Sequence, residues 1–186
     1  MVYFVTWHLA DSLPQAKLAE LEHEKEAWLG SHPEPWTADT EEEYHRQFSD
    51  RINQWLDAGE GACVLRDPGS SQIVAGALKH FTGERYELEG FVVMPNHVHV
   101  LFQLLGTHRL EQVIQSWKGF TSRKINERLG QRGTLWQEDY WDRIVRNSRH
   151  WWKCIEYIRD NPNRAKLRPG EYALFIKEGG LSSPPN

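Results

Sequence analysis

Two histidines separated by one residue are the first feature of this sequence that suggests chemistry. They lie in the run Asn96-His97-Val98-His99-Val100-Leu101-Phe102, whose apolar and β-branched composition is typical of a strand. Alternate side chains of a strand share a face, so His97 and His99 lie on one side, about 7 Å apart. We expect the other side, which carries the apolar residues, to be the buried one. Two imidazoles at this spacing can bind one divalent ion, although a strand histidine is often only structural.

A second group of polar side chains lies in residues 148–161, which we predict to be the last helix, broken at Asn161-Pro162. Residues four apart share a helical face, so Tyr157 and Asn161 lie on one side and Lys153, one turn earlier, joins them. A phenol, an amide and an ammonium do not make a typical buried stripe. Two plainer interpretations stay open. Tyr157 can pack at the edge of the sheet, and Asn161-Pro162 can be an N-cap followed by proline at the first helical position.

Several strings in a fixed order resemble the REP-associated tyrosine transposases, which belong to the single-tyrosine HUH endonuclease group. They are Val93-Met94-Pro95-Asn96-His97-Val98-His99-Val100-Leu101, Leu135-Trp136-Gln137, Tyr140-Trp141-Asp142-Arg143-Ile144-Val145-Arg146 and Tyr157-Ile158-Arg159-Asp160-Asn161-Pro162. The similarity extends over most of residues 86–168. The glutamate-rich stretch 15–60 matches no motif of this family that we can name.

This resemblance implies a role for each polar side chain. In the family, two histidines on a central strand and a polar residue one turn after the catalytic tyrosine hold Mg²⁺ or Mn²⁺ at the scissile phosphate. By resemblance, the metal ligands are His97, His99 and Asn161, and Tyr157 is the nucleophile that forms a 5′-phosphotyrosine and frees a 3′-hydroxyl. A phenol, with a usual pKa of about 10, is a poor nucleophile, and a nearby cation stabilises the phenolate. Lys153 can add positive charge, an inference from its helical spacing and not from the family pattern.

The charge of the chain is divided unevenly. Residues 1–60 hold 4 Lys/Arg against 13 Asp/Glu, a net of −9, whereas residues 117–168 hold 13 against 6, a net of +7. Local potential, more than total charge, selects a partner, so the second segment favours a polyanion. Basic residues interleaved with aromatic ones suit single-stranded nucleic acid, although core tryptophans beside a solvated basic face would look the same. The candidate DNA contacts are Trp117, Lys118, Arg123, Lys124, Arg143, Arg146 and Lys153.

The resemblance also implies the substrate, which is single-stranded DNA folded into an imperfect hairpin, as repetitive extragenic palindromes are. Single strands expose their bases for stacking and leave the scissile phosphate reachable. We expect a monomer or weak dimer, with a complete active site in each chain and no membrane partner.

Three alternatives were weighed against this function. A histidine-triad nucleotide hydrolase needs a third histidine at the position that Leu101 occupies. A metal-dependent amidohydrolase needs a barrel of roughly 250 residues, longer than this chain. The third alternative is a domesticated, cleavage-silent single-stranded DNA-binding module of the same fold, and it stays open.

The elements that must position these residues indicate an α+β fold. Residues 2–9 predict a first strand, 39–57 a helix, 109–129 a long amphipathic helix ended by Gly130, and 135–146 a further strand. Two runs, 86–94 and 97–104, predict a hairpin joined at Pro95-Asn96. We predict a turn at 67–70, followed by a short helix capped by Ser70 or Ser71. With the resemblance, this order predicts a ferredoxin-like antiparallel sheet with the histidines on a central strand and the tyrosine on a C-terminal helix.

We expect one HUH transposase-like domain over residues 1–176, with a helical acidic insertion at about 12–60, and a flexible tail over 177–186. No apolar run approaches the roughly 18 residues of a membrane span, and the N-terminus lacks the features of a signal peptide. Cys63 and Cys154 make a poor disulfide framework. A cytoplasmic protein, associated with the nucleoid when bound to DNA, is the expectation.

Overall fold

The computed structural model describes residues 1–178, and its centre is one antiparallel sheet of five strands in the order β4-β1-β3-β2-β5. The strands are β1 (Val2–His8), β2 (Tyr86–Val93), β3 (His97–Leu104), β4 (Trp141–Val145) and β5 (Ala173–Ile176). The first four strands make the ferredoxin-like arrangement together with two helices that pack on the sheet, Pro68–His80 just before β2 and Leu110–Leu129 between β3 and β4; the other helices between β1 and β2 are additional. The predicted fold class is confirmed.

Six α-helices surround this sheet: α1 (Gln15–Ser31), α2 (Ala38–Tyr44), α3 (Asp50–Asp57), α4 (Pro68–His80), α5 (Leu110–Leu129) and α6 (Ser148–Arg164). A π-helical turn, His45–Ser49, joins α2 to α3, and a short 3₁₀ turn, Val64–Arg66, precedes α4. None of the helices within residues 1–178 is long and apolar enough to span a bilayer.

The two faces of the sheet carry different helices. On one face, which we call the packed face, α4 and α5 cover Val98, Val100 and Phe102 of β3 with a large apolar cluster. On the other, the site face, α6 packs against Phe4, Val92 and Leu101. Gly90 permits this close approach, because a Cβ there would lie 3.3 Å from Ile155 Cδ1 of α6 and 3.2 Å from the Phe175 carbonyl of β5.

The acidic segment, residues 12–60, forms a small helical layer of its own. Its helices α1 to α3 bury Leu13, Leu21, Trp28, Phe48, Ile52 and Leu56 against one another, in a cluster separate from those of the sheet. Trp141 of β4 is the partly buried residue of the sheet that joins this cluster. The segment therefore has an apolar cluster of its own, which meets the sheet at Trp141.

Three sequence predictions about the elements need correction. Asp67, and not a serine, caps α4, since its carboxylate accepts from the Ser70 N–H at 2.9 Å and Pro68 takes the first helical position. The strand predicted over 135–146 is regular only in β4, with an isolated bridge from Trp136 to Leu9. Helix α6 continues through Pro162 to Arg164, so Asn161 is inside the helix and not a cap.

The C-terminal predictions also change. Strand β5 was not predicted, because its four residues carry too short a pattern to stand out. Lys177, placed in the flexible tail, donates its N–H to the Glu89 carbonyl at 3.0 Å, which extends the ordered chain past residue 176. The rest of the predicted tail from residue 179 lies outside the described residues.

Candidate active site

The histidine pair lies at the centre of the sheet, on its site face. The ring centroids of His97 and His99 are 4.7 Å apart and both side chains are fully buried. The expectation that only the opposite face is buried is therefore wrong. Strand β3 has neighbours on both edges, and helices cover both of its faces, so the imidazoles are as inaccessible as the valines.

The Nδ1 atom of each histidine is held by a neighbouring oxygen. Asn96 Nδ2 donates to the carbonyls of Leu56 and Glu60, which fixes Asn96 Oδ1 toward His97 Nδ1 at 2.7 Å. His97 therefore donates from Nδ1 and keeps its lone pair on Nε2. Thr6, the register partner of His99 on β1, places its Oγ1 2.7 Å from His99 Nδ1. Such oxygen partners orient the histidine ligands of metal sites.

Helix α6 brings the tyrosine and the amide to this pair. The Tyr157 ring lies 5.0 Å from the His99 ring, edge to face, and its hydroxyl is buried without a hydrogen-bond partner. One turn later, fully buried Asn161 donates from Nδ2 to Asp57 Oδ1 at 3.3 Å, and its own Oδ1 has no partner. The predicted spacing of Tyr157 and Asn161 on one helical face is confirmed.

Three of these unpartnered atoms fit a divalent metal ion. His97 Nε2, His99 Nε2 and Asn161 Oδ1 are buried lone-pair donors without a hydrogen bond. An unpaired buried polar group costs about 1–3 kcal/mol, so a cluster of them needs a reason. Across residues 1–178, no group of three or more His, Cys, Asp or Glu side chains can hold an ion, so the fitting set is two imidazoles and one amide.

Burial determines the protonation of these groups. It lowers the pKa of His99 to about 3, with help from the Arg164 charge, and lowers the pKa of His97 well below its usual value. Both imidazoles are therefore neutral, as metal ligands must be. Burial also raises the pKa of Tyr157, as does the nearby Asp57 charge, while Arg164 opposes both. The phenol stays protonated unless positive charge is added.

A family model described as IS200-like transposase matches residues 67–161, just over half of the chain. The matched region contains both histidines, Tyr157 and Asn161. The chain belongs to the IS200-like transposase family. The family resemblance seen in the motifs is confirmed.

Two solved structures are similar to this transposase over most of its length. A REP-associated tyrosine transposase bound to a REP hairpin is 14% identical with a TM-score of 0.47, over 88% of this chain and 67% of the other. A proposed transposase from Deinococcus radiodurans R1 is 16% identical with a TM-score of 0.35, over 87% of this chain and 90% of the other. No curated protein matches the sequence.

Lys153 does not join Tyr157 and Asn161 in the transposase. Its side chain is largely exposed and its Nζ lies 3.8 Å from Glu42. Residues four apart on a helix differ by about 40° in angle around its axis. Lys153 is two such steps before Asn161, so the two side chains differ by about 80°. Arg164, seven residues after Tyr157, returns to nearly the same angle, and its guanidinium lies 5.2 Å from the Tyr157 ring centre. Arg164, and not Lys153, is therefore the cation beside Tyr157.

Two predicted DNA contacts have structural roles instead. Trp117 is buried in the cluster of the packed face, where it stacks on Trp7 and donates Nε1 to the Tyr86 hydroxyl at 3.0 Å. Lys118 is half buried, and its Nζ donates to the carbonyls of Gln137 and Glu138 at 2.7 and 2.6 Å. Both positions belong to the buried side of α5, which sequence charge alone does not distinguish.

The remaining predicted contacts divide between the two sides of the sheet. Arg123 and Lys124 are exposed on α5, which covers the packed face, away from the histidines. Arg143, Arg146 and Lys153 line a groove of about 380 Å³ between α2 and the start of α6. The groove also holds Arg149, His45, His150, Glu41 and Glu42. Of its cations, Arg149 and Lys153 lie on the same helix as Tyr157, Arg143 lies on β4, and Arg146 lies in the link between the two.

Sequence reasoning missed four residues that contact the site: Thr6, Asp57, Asn96 and Arg164. Thr6 reaches His99 through strand pairing over 93 positions, which no local pattern reveals. Asp57 Oδ1 lies 3.7 Å from His97 Nε2, although the acidic segment carries no motif. Only Asn96 had a visible signal, because it directly precedes His97 in the motif that matched the family.

Proposed function

We propose that this IS200-like transposase is a divalent-metal-dependent single-strand DNA nickase and strand transferase that uses Tyr157 as its nucleophile. One observation carries the proposal. The Tyr157 hydroxyl, both histidine Nε2 atoms and Asn161 Oδ1 lie together, buried and without hydrogen-bond partners. All four belong to one chain, which supports a complete active site in each monomer.

His97, His99 and Asn161 would hold Mg²⁺ or Mn²⁺, which supplies positive charge for the phosphate and lowers the cost of the phenolate. Tyr157 Oη attacks phosphorus in line, the bond from phosphorus to the 3′ oxygen breaks, and a 5′-phosphotyrosine forms. The phenolic proton leaves to solvent, and the departing 3′ oxygen takes one up. The phosphodiester is exchanged for a phosphotyrosine ester, so the reverse attack by a 3′-hydroxyl rejoins DNA.

Arg164 assists by charge. Its guanidinium over the Tyr157 ring stabilises the phenolate that burial otherwise disfavours. Thr6 and Asn96 hold the imidazoles at Nδ1, which leaves both buried Nε2 atoms without a hydrogen bond. Strands β1 and β3 and helix α6 thus position the reacting groups.

The substrate we propose is hairpin DNA of the repetitive extragenic palindrome type, bound near the nucleoid. Its support is the resemblance of the motifs to REP-associated transposases together with the basic groove. Arg143, Arg146, Arg149 and Lys153 line that groove beside the helix that carries Tyr157. Cations in such a row suit the phosphates of a single strand.

The deciding experiment incubates the protein and Mn²⁺ with the hairpins that flank its own gene and looks for a covalent adduct. Tyr157→Phe should eliminate the adduct while hairpin affinity is kept. Tyr140→Phe is the matched control, because Tyr140 packs on the opposite side of the sheet and should leave adduct formation intact. A nucleotide found on Tyr140 by peptide mass spectrometry would overturn the assignment. Hairpin binding without any adduct would favour the cleavage-silent alternative.

A further inference from the structure

The candidate site is closed in this structure, although its chemistry requires contact with DNA. His97, His99 and Asn161 have no exposed surface, and the Tyr157 hydroxyl is buried. A phosphodiester in a DNA strand is too large to reach these atoms while they remain covered. Some part of the chain must therefore move before the reaction can begin.

The acidic segment covers the part of the candidate site that α6 leaves open. The Asn53 and Ile52 side chains of α3 and Ser49 before it line a small cavity with Phe4 and Thr6 on the site face. At the end of α3, Asp57 reaches Asn161 and His97. The last turn of α3 is in turn held by Asn96, which donates to the Leu56 and Glu60 carbonyls.

The carboxylates of this segment occupy the positions that a substrate strand needs. Glu41 binds Arg146 at 2.8 Å and Glu42 lies 3.8 Å from Lys153, so two groove cations are already neutralised. Asp57 accepts from Asn161 beside the histidines, where an anionic oxygen of the scissile phosphate would have to sit. Carboxylates of the acidic segment thus contact both the groove cations and the candidate metal ligands.

The contacts that hold the segment in place are weak individually. Its apolar cluster is internal, and its named links to the groove are ion pairs with side chains that are largely exposed on one partner. Exposed ion pairs contribute little and are screened by salt. Opening of the groove therefore breaks two exposed ion pairs, and opening of the site also breaks the hydrogen bonds that Asn96 and Asn161 make at the end of α3.

The geometry points to a lid. The acidic segment closes the active site, and its Glu41, Glu42 and Asp57 carboxylates take the places of DNA phosphates, so that a substrate strand must displace the segment to reach Tyr157. This inference rests on the proposed function, because it assigns the groove and the buried centre to the same strand. It also gives the acidic segment, which has a net charge of −8 over residues 12–60, a role in a protein that acts on DNA.

Hydrogen–deuterium exchange of the full chain tests the lid without DNA. Glu41→Gln combined with Glu42→Gln should raise exchange over residues 38–57 severalfold. The matched control combines Glu20→Gln with Glu43→Gln, which removes the same charge from exposed residues of the segment. Among the described residues, neither Glu20 nor Glu43 forms an ion pair. Equal exchange in the two double variants would overturn the inference.

Addition of hairpin DNA gives the second arm. Exchange over residues 38–57 should rise while exchange over α6 falls, and the Glu41/Glu42 variant should bind the hairpin roughly three- to tenfold more tightly than the control. Protection of residues 38–57 by DNA, or an equal affinity gain in the control, would overturn the lid. If no hairpin protects α6, the proposed function fails, and the DNA-free comparison still decides whether Glu41 and Glu42 hold the segment closed.

Discussion

On the packed face of the sheet, buried polar groups have partners, whereas on the site face a group of them has none. Trp117 Nε1 donates to the Tyr86 hydroxyl, which donates to the Leu78 carbonyl, and Trp136 Nε1 donates to Thr121. Trp7 Nε1 is the exception there. On the site face, His97 Nε2, His99 Nε2, Tyr157 Oη and Asn161 Oδ1 all lack partners.

The two faces of the sheet thus differ in role: polar groups of the packed face stabilise the fold, whereas those of the site face carry the proposed function. Satisfied hydrogen bonds let aromatic side chains be buried on the packed face, so polarity there stabilises the fold. Unsatisfied atoms on the site face destabilise the fold, and the proposed divalent ion would supply the partner that His97, His99 and Asn161 lack. Trp117 and Trp136 lie in the basic part of the sequence but are buried on the packed face, so tryptophans there need not contact DNA.

Replacement of a histidine should produce the largest functional effect. His99→Ala removes a proposed ligand, so we expect adduct formation to fall at least 100-fold while hairpin affinity changes little. The free energy of unfolding should fall by only about 1–2 kcal/mol, because the lost hydrogen bond is a single one to Thr6. Adduct assays, fluorescence anisotropy and urea denaturation measure the three quantities. Undiminished cleavage in EDTA would contradict the metal site.

Replacement of Trp117 should do the reverse. Trp117→Ala leaves a cavity in the packed face and removes the hydrogen bond that the Tyr86 hydroxyl accepts, so we expect a loss of about 3–5 kcal/mol in the free energy of unfolding. The folded fraction should still bind the hairpin normally. Trp152→Ala is the control, since that indole is 40% exposed on α6 and its loss should cost little stability. A loss of DNA affinity without a loss of stability would restore Trp117 as a DNA contact.

The salt dependence of DNA binding sharpens the comparison further. Arg146→Ala with Arg149→Ala removes two groove cations on the site face, and should reduce the slope of log affinity against log salt by about 1.4 to 2. Arg123→Ala with Lys124→Ala removes two cations of the packed-face helix α5 and should leave the slope unchanged. The opposite result would move the DNA path to α5, as the charge of the sequence alone suggested.

The parts of the fold that were predictable are those with strong local periodicity. The hairpin of β2 and β3 and the amphipathic helix α5 follow from alternation and from the 3.6-residue repeat, and Gly130 ends α5 with a φ of 63°. Two elements were missed by the sequence prediction. Strand β5 is only four residues long, and the last turn of α6 contains Pro162. Their structure comes from packing against the sheet, which outweighs local propensity.

For the site, the sequence supplied the reactive side chains but not their surroundings. His97, His99, Tyr157 and Asn161 are close in sequence motifs, so spacing and family resemblance were sufficient to select them. Thr6 and Asp57 arrive from distant positions through strand register and the docking of α3. The prediction for Lys153 was wrong because this residue lies about 80° around the helix from Asn161. Arg164, seven residues after Tyr157, lies at nearly the same angle as Tyr157.

The smallest expected effect concerns pH and the groove. Burial lowers the pKa of His45 to about 3 and that of His150 to about 4, with the Arg143 charge as the next cause in both. An unfolded histidine has a pKa of about 6.5, so between about pH 4 and 6.5 the unfolded chain binds more protons than the folded one. The resulting stability is complete above pH 6.5 and is lost as the pH falls.

We therefore expect the free energy of unfolding, measured in urea without divalent ions, to decrease on acidification from pH 7 to pH 5. His45→Gln combined with His150→Gln should flatten this decrease by about 1–2 kcal/mol for each histidine at pH 5. The site-face histidines of β3 remain in that variant, so part of the pH dependence should persist. Equal slopes in the variant and the native protein would mean that the groove imidazoles accept protons in the fold. Water would then reach the groove imidazoles even though Glu41 and Glu42 pair with Arg146 and Lys153 at its edge.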